Sequence, residues 1–562
     1  MKLKHAAAVA ALAAGALMVL ADNPTAKKSH DAAVARNLTT FNALVKELEL
    51  NYVDSTRPDE AFRAAINAYL SLTDPYTEYY SSDDQQALST LQTGEYAGIG
   101  SYIEERPGKI TLISAPYKNS PAHLAGLRPG DRIIRIDTTD TQTIGSSEVS
   151  KLLRGAAGSK VNVQVIRPYV ADSILDFTLE RRKVQIPNVT YAGMIDGRTG
   201  YINLTSFVAS SPKEVGEALE KFKANPELKE VVLDLRGNGG GLLEAAVDIA
   251  GFFLPKGTEV LRTRGRDKST EKIYKTTNTP ILPDIPLAIL IDGGSASSSE
   301  IVAGAMQDLD RAVLVGTRSF GKGLVQGTRM LPYDGALKVT AAKYYIPSGR
   351  CIQVLDYSRR NPDGSVAHMP DSLTSVFHTA HGREVRDGGG LKPDSTVSWG
   401  EVNRLVYNLV RDNIISDFRT KYASEHDSIA PPETFTVTDE IFEEFKKFID
   451  PSKLKYDKVC EDIMTQLRKA AEMEGYMNDD TKSALDTLGK LLTHDLNHDL
   501  DRHRDQISEY IATELMRTYY FDSGATRNSL NNDPGMKKAL EILRDPAKLN
   551  ATLGLAKTAK SK

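Results

Sequence analysis

A run of serines follows an apolar segment in the middle of the chain and leads into a helix. Residues 287–291 are all apolar, and they are followed directly by the sequence Asp292-Gly293-Gly294-Ser295-Ala296-Ser297-Ser298-Ser299-Glu300. A serine at the start of a helix lies beside unpaired backbone N–H groups and the positive end of the helix dipole. That environment suits an oxygen nucleophile that attacks a carbonyl group. Serine is also a common N-cap residue, so this segment alone leaves both interpretations open.

A nucleophilic serine needs a proton acceptor, which in most enzymes is a histidine. The sequence has no histidine from residue 124 to residue 367, and His378 and His381 would have to fold back onto the serines. Lys322 instead lies between two glycines, shortly after the apolar run 312–315. A lysine that loses its water there has a lowered pKa and becomes a usable base. The residues therefore favour a Ser–Lys pair, a known variant of serine hydrolase chemistry.

A glycine-rich turn, residues 237–241, follows the apolar run 231–235. It has the form of a dinucleotide-binding turn, but Leu242 occupies the position of the third glycine. Residues 316–322 nearly match a phosphate-binding loop, but Gly323 stands where a magnesium-binding Ser or Thr is required. We therefore predict neither a cofactor nor a metal. The turn at 237–241 is either a plain strand-to-helix connection or a source of N–H groups for an oxyanion.

Length and composition limit the class of protein. A chain of 562 residues is long enough for about three to five domains. Its net charge is −4, which gives no reason to expect nucleic-acid binding. With only two cysteines, a disulfide framework and a Cys-rich metal fold are excluded.

The periodicity of apolar residues changes along the chain. Helical spacing prevails in residues 33–72, short β-rich runs from about 85 to 182, alternating strands and helices from 199 to about 350, and helices beyond 400. We predict a multidomain α+β protein with an N-terminal helical region (22–84), a small β-rich domain (85–182), an α/β core (183–400) and a C-terminal helical domain (401–562).

The first residues have the pattern of a secretory signal peptide. Lys2 and Lys4 precede an apolar run at residues 6–20, and Ala21 provides a small residue before a cleavage point. The run is shorter than the roughly 20 residues of a membrane span, although an uncleaved anchor is the alternative. We therefore predict a signal peptide at residues 1–21 and an exported protein, periplasmic in a cell with two membranes.

Together, the motifs resemble the C-terminal processing peptidases, also called tail-specific proteases, in which a PDZ domain precedes a Ser–Lys peptidase core. The resemblance extends from about Ser71 to Asp394, and its motifs are Thr73-Asp74-Pro75-Tyr76-Thr77-Glu78-Tyr79, Gly98-Ile99-Gly100, Ser120-Pro121-Ala122, residues 125–131, residues 234–240, residues 295–300, residues 316–326, residues 345–353 and residues 390–394. It implies that the β-rich domain is a PDZ domain and that residues 183–400 form the peptidase core.

The resemblance also implies roles for individual residues. Ser297, three positions before Glu300, matches the nucleophile, Lys322 the general base, and Gln326 the residue that orients this base. The oxyanion hole would consist of the amide of Ser298 and one from Gly239 or Gly240. The family has alanine at position 298, and serine there leaves the N–H group in place.

The loop Gly98-Ile99-Gly100 is the expected binding site for the substrate tail. A glycine-rich loop before a strand can bind a terminal carboxylate with its N–H groups while the peptide adds a strand to the sheet. We therefore expect an exported serine endopeptidase that recognises the C-terminal tails of proteins and cuts upstream. The expected partners are protein or peptide substrates with free C-termini, with an adaptor protein or a homo-oligomer as further options and no nucleic acid. The alternatives are a non-catalytic PDZ scaffold and an acyl-thioester hydrolase or isomerase.

Overall fold

The computed structural model describes residues 24–555 except residues 171–173, 362, 364, 369–371, 373, 453, 455–457 and 494. The predicted signal peptide, residues 1–21, lies outside the described residues. Among the helices that are described, none is long and apolar enough to cross a membrane. The chain divides into two compact units, with the boundary between Thr73 and Asp74.

The first unit contains two helices, α1 (Pro24–Asn51) and α2 (Pro58–Leu70). Pro58 occupies the first turn of α2, where its missing N–H group costs no hydrogen bond. Phe41 and Phe62 connect the two helices by an edge-to-face contact with ring centroids 6.1 Å apart. The helical structure predicted from the spacing in residues 33–72 is confirmed.

The second unit begins with β1 (Glu78–Tyr80) and α3 (Gln85–Thr93) and continues into the small β-rich domain. The chain enters this domain on β2 (Glu95–Gly98) and leaves it on β9 (Arg182–Gln185), and these two strands pair antiparallel. Between them lies an antiparallel sheet in the order β3-β4-β5-β7-β8, with β6 on β5. Its elements are β3 (Ser101–Arg106), β4 (Ile110–Pro116), α4 (Pro121–Leu124), β5 (Arg132–Ile136), β6 (Thr139–Asp140), α5 (Ser146–Leu153), β7 (Lys160–Ile166) and β8 (Ile174–Glu180).

The centre of the second unit is a six-stranded sheet in the order β10-β11-β12-β15-β16-β23, in which every neighbouring pair except β10–β11 is parallel. A second sheet pairs β18 with β17, β1 and β13, and β14 with β13. The elements of this region are β10 (Val189–Met194), β11 (Thr199–Leu204), α6 (Ser211–Lys223), β12 (Glu230–Asp234), α7 (Leu243–Ala250), β13 (Glu259–Gly265), β14 (Lys272–Lys275), β15 (Leu287–Ile291), α8 (Ser298–Asp308), β16 (Val313–Gly316), β17 (Leu324–Met330), β18 (Ala336–Tyr345), β19 (Leu355–Arg360), β20 (Val366–His368), β21 (Val376–His378), β22 (Glu384–Arg386) and β23 (Ser395–Thr396).

The remaining chain is helical, as predicted. Its helices are α9 (Arg404–Arg411), α10 (Ile414–Glu425), α11 (Asp439–Phe448), α12 (Val459–Met473), α13 (Asp479–Leu492), α14 (Leu496–Arg502), α15 (Arg504–Ser529), α16 (Pro534–Leu543) and α17 (Pro546–Thr552). The predicted fold class, multidomain α+β, is confirmed.

Both faces of the central sheet are buried, as parallel strands require. On β12 and β15, Leu233 and Ile289 lie in one core with residues of α6, α7 and α8. Their neighbours Val232 and Leu290 lie in the opposite core, together with Met536 of α16 and other C-terminal residues. The last two helices, α16 and α17, therefore form one of the two layers that cover the sheet.

Candidate active site

Three turns come together at one edge of the central sheet. The parallel strands β12, β15 and β16 end on the same side, and the turns that follow them are residues 237–241, 295–299 and 319–322. The amide of Ala296 donates to the carbonyl of Asn238 at 3.0 Å, and the amide of Phe320 donates to the carbonyl of Ser295 at 3.0 Å. Backbone hydrogen bonds thus hold the three turns together, at the edge where α/β sheets bind ligands.

Ser297 differs from the serines around it in its backbone. It has φ 55° and ψ −113°, a conformation that is strained for a residue with a Cβ atom. It directly precedes α8, so it lies at the positive end of that helix. A strained residue between a strand and a helix is typical of an exposed nucleophile.

The hydroxyl groups of the other serines bind backbone carbonyls. Ser295 donates to Leu235 at 2.8 Å, Ser298 to Gly241 at 3.0 Å and Ser299 to Asn238 at 2.8 Å, and all three serines are buried. Ser297 is half-buried, and its hydroxyl donates no hydrogen bond to the residues that the structure describes. Of the four candidates, Ser297 has the hydroxyl that is available for chemistry.

Glu300 is fully buried behind these turns and connects two of them. Its Oε2 accepts the amide of Ser297 at 2.8 Å and the amide of Lys322 at 2.9 Å. Its Oε1 accepts the hydroxyl of Ser319 at 2.5 Å and the amide of Gly321 at 2.6 Å. Burial raises the pKa of this carboxyl, and the four hydrogen bonds act in the opposite direction.

Lys322 follows this hydrogen-bonded turn, and its side chain lies in a poorly hydrated environment. The pKa of Lys322 is lowered to about 8, chiefly by burial and also by the nearby charge of Lys338, while Asp74, Glu300 and Glu78 oppose both effects. Its Nζ lies 4.1 Å from the centroid of the Tyr76 ring. An amine with a pKa this low is partly deprotonated near neutral pH, which a general base requires.

Gln326, the predicted orienting residue, is on β17. Its side-chain amide donates to Thr340 Oγ1 on the neighbouring strand β18 at 3.1 Å. Within the described chain, Lys322 Nζ forms no hydrogen bond with Gln326 or with Ser297. The structure thus shows Gln326 bonded to Thr340 and not to the lysine that it was predicted to orient.

The glycine turn lies directly against the serine turn. A Cβ atom added to Gly240 would lie 2.8 Å from Ser297 Cβ and 2.9 Å from the Ser298 amide nitrogen, so no larger residue fits. The amide of Gly240 already donates to Asn238 Oδ1 at 2.9 Å. In the part of the chain that the structure describes, the amide of Gly239 has no acceptor. The candidate oxyanion donors are therefore the amides of Ser298 and Gly239, beside Gly240.

Arg236, directly before the glycine turn, connects it to the C-terminal helices. Its guanidinium pairs with Asp234 at 2.5 Å and with Asp533, at the start of α16, at 2.6 Å. The ring of Trp399 lies 5.7 Å from the guanidinium carbon. The C-terminal region thus contacts the residue that leads into the candidate oxyanion site.

The two histidines that could have replaced Lys322 lie elsewhere. His381 Nδ1 is 3.0 Å from Asp310 Oδ2, beyond the C-terminal end of α8. That helix is about 16 Å long, and Ser297 is at its other end. His378 is exposed on the β21–β22 ladder.

The predicted tail-binding loop connects β2 with the edge strand β3. The side chain of Ile99 is buried in the core of the small domain, and Gly100 has φ 75°. Burial raises the pKa of Tyr96, whereas hydrogen bonds from the amides of Ser101 and Gly100 lower it, so the Tyr96 hydroxyl faces the amides of the loop. Among the described strands, β3 pairs only with β4, so its outer edge beside this loop is available for strand addition.

Sequence reasoning missed three residues of this site. Glu300 was used only as a marker of spacing, Tyr76 only as part of a motif, and Asp533 not at all. The signal for Tyr76 was its place in the motif at residues 73–79. No feature of the sequence indicated that Tyr76 contacts Lys322, which lies 246 positions further along the chain.

Three family descriptions match this chain: "Peptidase family S41" over residues 198–358, "PDZ domain" over residues 112–167, and "Probable PDZ-protease, C-terminal helical domain" over residues 405–543. A carboxy-terminal-processing protease of Bartonella bacilliformis is 33% identical over 340 residues, which cover 60% of this chain and 77% of that protein. A carboxyl-terminal-processing protease of Synechocystis is 37% identical over 302 residues, 53% of this chain and 69% of that protein. A solved photosystem II D1 C-terminal processing protease is 27% identical, with a TM-score of 0.34 over 63% of this chain and 86% of its own.

Proposed function

Because this chain belongs to the carboxy-terminal-processing proteases of peptidase family S41 and carries a PDZ domain, we propose that it is an exported serine endopeptidase with a Ser–Lys pair. Ser297 is the nucleophile and Lys322 the general base. The observation that carries this proposal is Glu300, whose Oε2 accepts the backbone amides of both residues at 2.8 and 2.9 Å. One buried carboxylate thus fixes the backbone of the nucleophile relative to that of the base.

Hydrolysis then proceeds through an acyl-enzyme. The neutral Lys322 amine takes the proton of Ser297 Oγ as this oxygen attacks the peptide carbonyl, and the carbonyl oxygen becomes an oxyanion. The amides of Ser298 and Gly239 donate to that oxyanion. The Lys322 ammonium gives its proton to the departing amine, and the C–N bond breaks. Water, deprotonated by the same lysine, then cleaves the ester and frees Ser297.

The PDZ domain is proposed to select the substrate by its C-terminal tail. The loop at residues 98–100 binds the terminal carboxylate with backbone N–H groups, and the tail adds a strand to the edge of β3. The scissile bond then lies upstream of the bound tail. The loop itself is a poor site for a blocking substitution, since a Cβ atom at Gly100 would lie 2.4 Å from Ser120 Cβ and disturb the fold.

Export is proposed on the pattern at residues 1–21. If a signal peptidase removes this segment, the mature protein begins at Asp22. Mass spectrometry of the N-terminus of the protein isolated from its native host tests this cleavage, and a chain that retains residues 1–21 would favour the uncleaved anchor instead.

The proposed function is tested with one unfolded protein made in two forms, with a free and with an amidated C-terminus. We expect the wild-type enzyme to cleave the free form faster, and equal rates would contradict tail recognition. A matched variant lacks the PDZ domain: Gly98 and Arg182 are paired neighbours on β2 and β9, so a two-residue Asn-Gly turn can replace residues 99–181. This variant should not distinguish the two substrates.

A catalytic variant separates a protease from a non-catalytic scaffold. Ser297→Ala should still bind the free tail, as measured by fluorescence anisotropy of a labelled peptide, and should release no cleaved product. If the wild-type protein also binds tails without cutting any peptide bond, the scaffold interpretation replaces the proposed function.

A further inference from the structure

Tyr76 covers the nitrogen atom of Lys322. The ring centroid lies 4.1 Å from Nζ, close enough for a cation–π contact with an ammonium group. Tyr76 and Lys322 belong to the same compact unit but to distant parts of the chain, since Tyr76 precedes β1 and Lys322 precedes β17. The fold therefore brings an aromatic side chain over the proposed base.

The loop that carries Tyr76 is fixed on one side by Asp74, which is buried. Asp74 Oδ1 accepts the amide of Tyr76 at 2.8 Å, and Oδ2 accepts the hydroxyl of Thr77 at 3.1 Å. Thr77 Oγ1 in turn accepts the amide of Thr340 on β18 at 3.2 Å. These bonds attach the loop to the strand that also carries the partner of Gln326.

The ring of Tyr76 is fixed on the other side by Tyr357. The two rings meet edge to face, with centroids 6.2 Å apart and an interplanar angle of 87°. Burial and a hydrogen bond with Tyr357 raise the pKa of Tyr76, so its phenol stays neutral throughout the working range of a protease. A neutral ring held from two sides can shield its neighbour from water without adding a negative charge.

Resting on the proposed function, we propose that Tyr76 is a positioning residue for the general base: its ring excludes water from Lys322 Nζ and holds this nitrogen on its face. In the described structure Nζ contacts the ring and forms no hydrogen bond with Ser297.

The ring has two opposite effects on the charge of Lys322, and these can be separated. Excluding water disfavours the ammonium form, whereas the π-face of the ring favours it. The charged groups around the nitrogen are Lys338, Asp74, Glu300 and Glu78, and Lys338 is paired with Glu78 at 2.9 Å. None of these groups changes when Tyr76 alone is substituted, so any change in titration comes from the ring.

The experiment measures the pKa of Lys322 by NMR titration of its ¹³Cε signal, assigned by its loss in Lys322→Arg. The full-length protein carries Ser297→Ala, so the readout does not depend on activity. Tyr76→Ala admits water and should raise the pKa by one unit or more, towards the ordinary value of about 10.4. Tyr76→Leu keeps an apolar cover without a π-face and should lower the pKa by about half a unit. Tyr76→Phe should change it little.

Tyr79→Leu is the matched control, because Tyr79 follows Tyr76 closely, on β1, but packs near Gly335 rather than Lys322. It should leave the pKa of Lys322 unchanged. The proposal is wrong if the pKa of Lys322 in Tyr76→Ala and Tyr76→Leu equals its pKa in Tyr79→Leu. It is also wrong if Tyr76→Ala and Tyr76→Leu shift this pKa in the same direction. The failure of the proposed function has a different signature: Lys322→Arg, made with Ser297 intact, would then cleave peptides normally, whatever the titration shows.

Discussion

Ser297 and Lys322 are connected through a single atom, since their backbone amides donate to Oε2 of Glu300 at 2.8 and 2.9 Å. The other oxygen of this carboxylate binds Ser319 and Gly321, so the fully buried group accepts four hydrogen bonds. A buried carboxylate is costly unless its oxygens are satisfied in this way. Because an apolar core would not favour a carboxylate, the four hydrogen-bond donors explain why a glutamate occupies this position.

Glu300→Gln should lower kcat by about 100-fold, because a displacement of about 1 Å between reacting groups has an effect of this size. Glutamine keeps the volume, but its NH₂ group would face two donors instead of accepting from them. The amides of Ser297 and Lys322, or the hydroxyl of Ser319 and the amide of Gly321, would then lose their shared acceptor. Steady-state kinetics measure the effect, and circular dichroism confirms that the variant is folded.

Glu220→Gln, on the exposed face of α6, is the control for this substitution and should have the kcat of the wild type. A Glu300→Gln enzyme within about threefold of wild type would show that the shared carboxylate does not position the catalytic pair.

The pH dependence of catalysis should follow the protonation of Lys322. Only the neutral amine can accept a proton, so kcat/KM should rise with pH and level off above about 8, the pKa of Lys322. Lys322→Arg should be inactive at every pH, because guanidinium does not deprotonate in a protein. The measurement is a kcat/KM profile from pH 5 to 10 on one peptide.

A profile with a midpoint near 6.5, the ordinary pKa of histidine, would assign the base to a histidine instead. Since His381 pairs with Asp310, His381→Gln would then shift or abolish that midpoint. We expect His381→Gln to leave the profile unchanged.

Single substitutions in the serine turn should distinguish the nucleophile from the neighbouring serines. Ser297→Ala should cut at less than about a thousandth of the normal rate, the level left by binding and the oxyanion hole alone. Ser295→Ala should instead retain catalysis and lower the free energy of unfolding by about 1–3 kcal/mol, since a buried carbonyl loses its donor. Activity assays and urea unfolding of both variants test this pair, and the opposite pattern would make Ser295 the nucleophile.

The sequence predicted the local parts of this site better than their assembly. The run of serines could be predicted as a candidate site because strand, turn and helix follow one another within a few residues, and the resemblance then selected Ser297. Lys322 could be predicted as the base because its flanking glycines suggested burial, and burial is the largest cause of its lowered pKa. The strained φ of Ser297 had no sign in the sequence, because serine ordinarily avoids that conformation.

What the sequence could not predict depends on contacts between distant segments. Glu300 is positioned by donors from two turns, and the second of them follows a strand whose register only the folded sheet defines. Tyr76 reaches Lys322 because β1 pairs with β18. Periodicity describes which face of an element is buried, but not which residues of two elements meet.

Asp533 connects the C-terminal helices to Arg236, which leads into the candidate oxyanion site. It pairs with Arg236 at 2.6 Å, and its side chain also caps α16 by accepting the amide of Met536 at 2.8 Å. Asp533→Ala removes both interactions, so it should lower the stability by about 1 kcal/mol through the lost cap. It should also lower kcat by about tenfold, because Arg236 leads directly into the turn with Gly239 and Gly240. Asp545→Ala is the matched control: Asp545 caps the next helix, α17, so this variant should lose similar stability and keep its kcat. If the two variants lose stability alike and both keep a normal kcat, then the C-terminal helices support the fold without positioning the oxyanion turn.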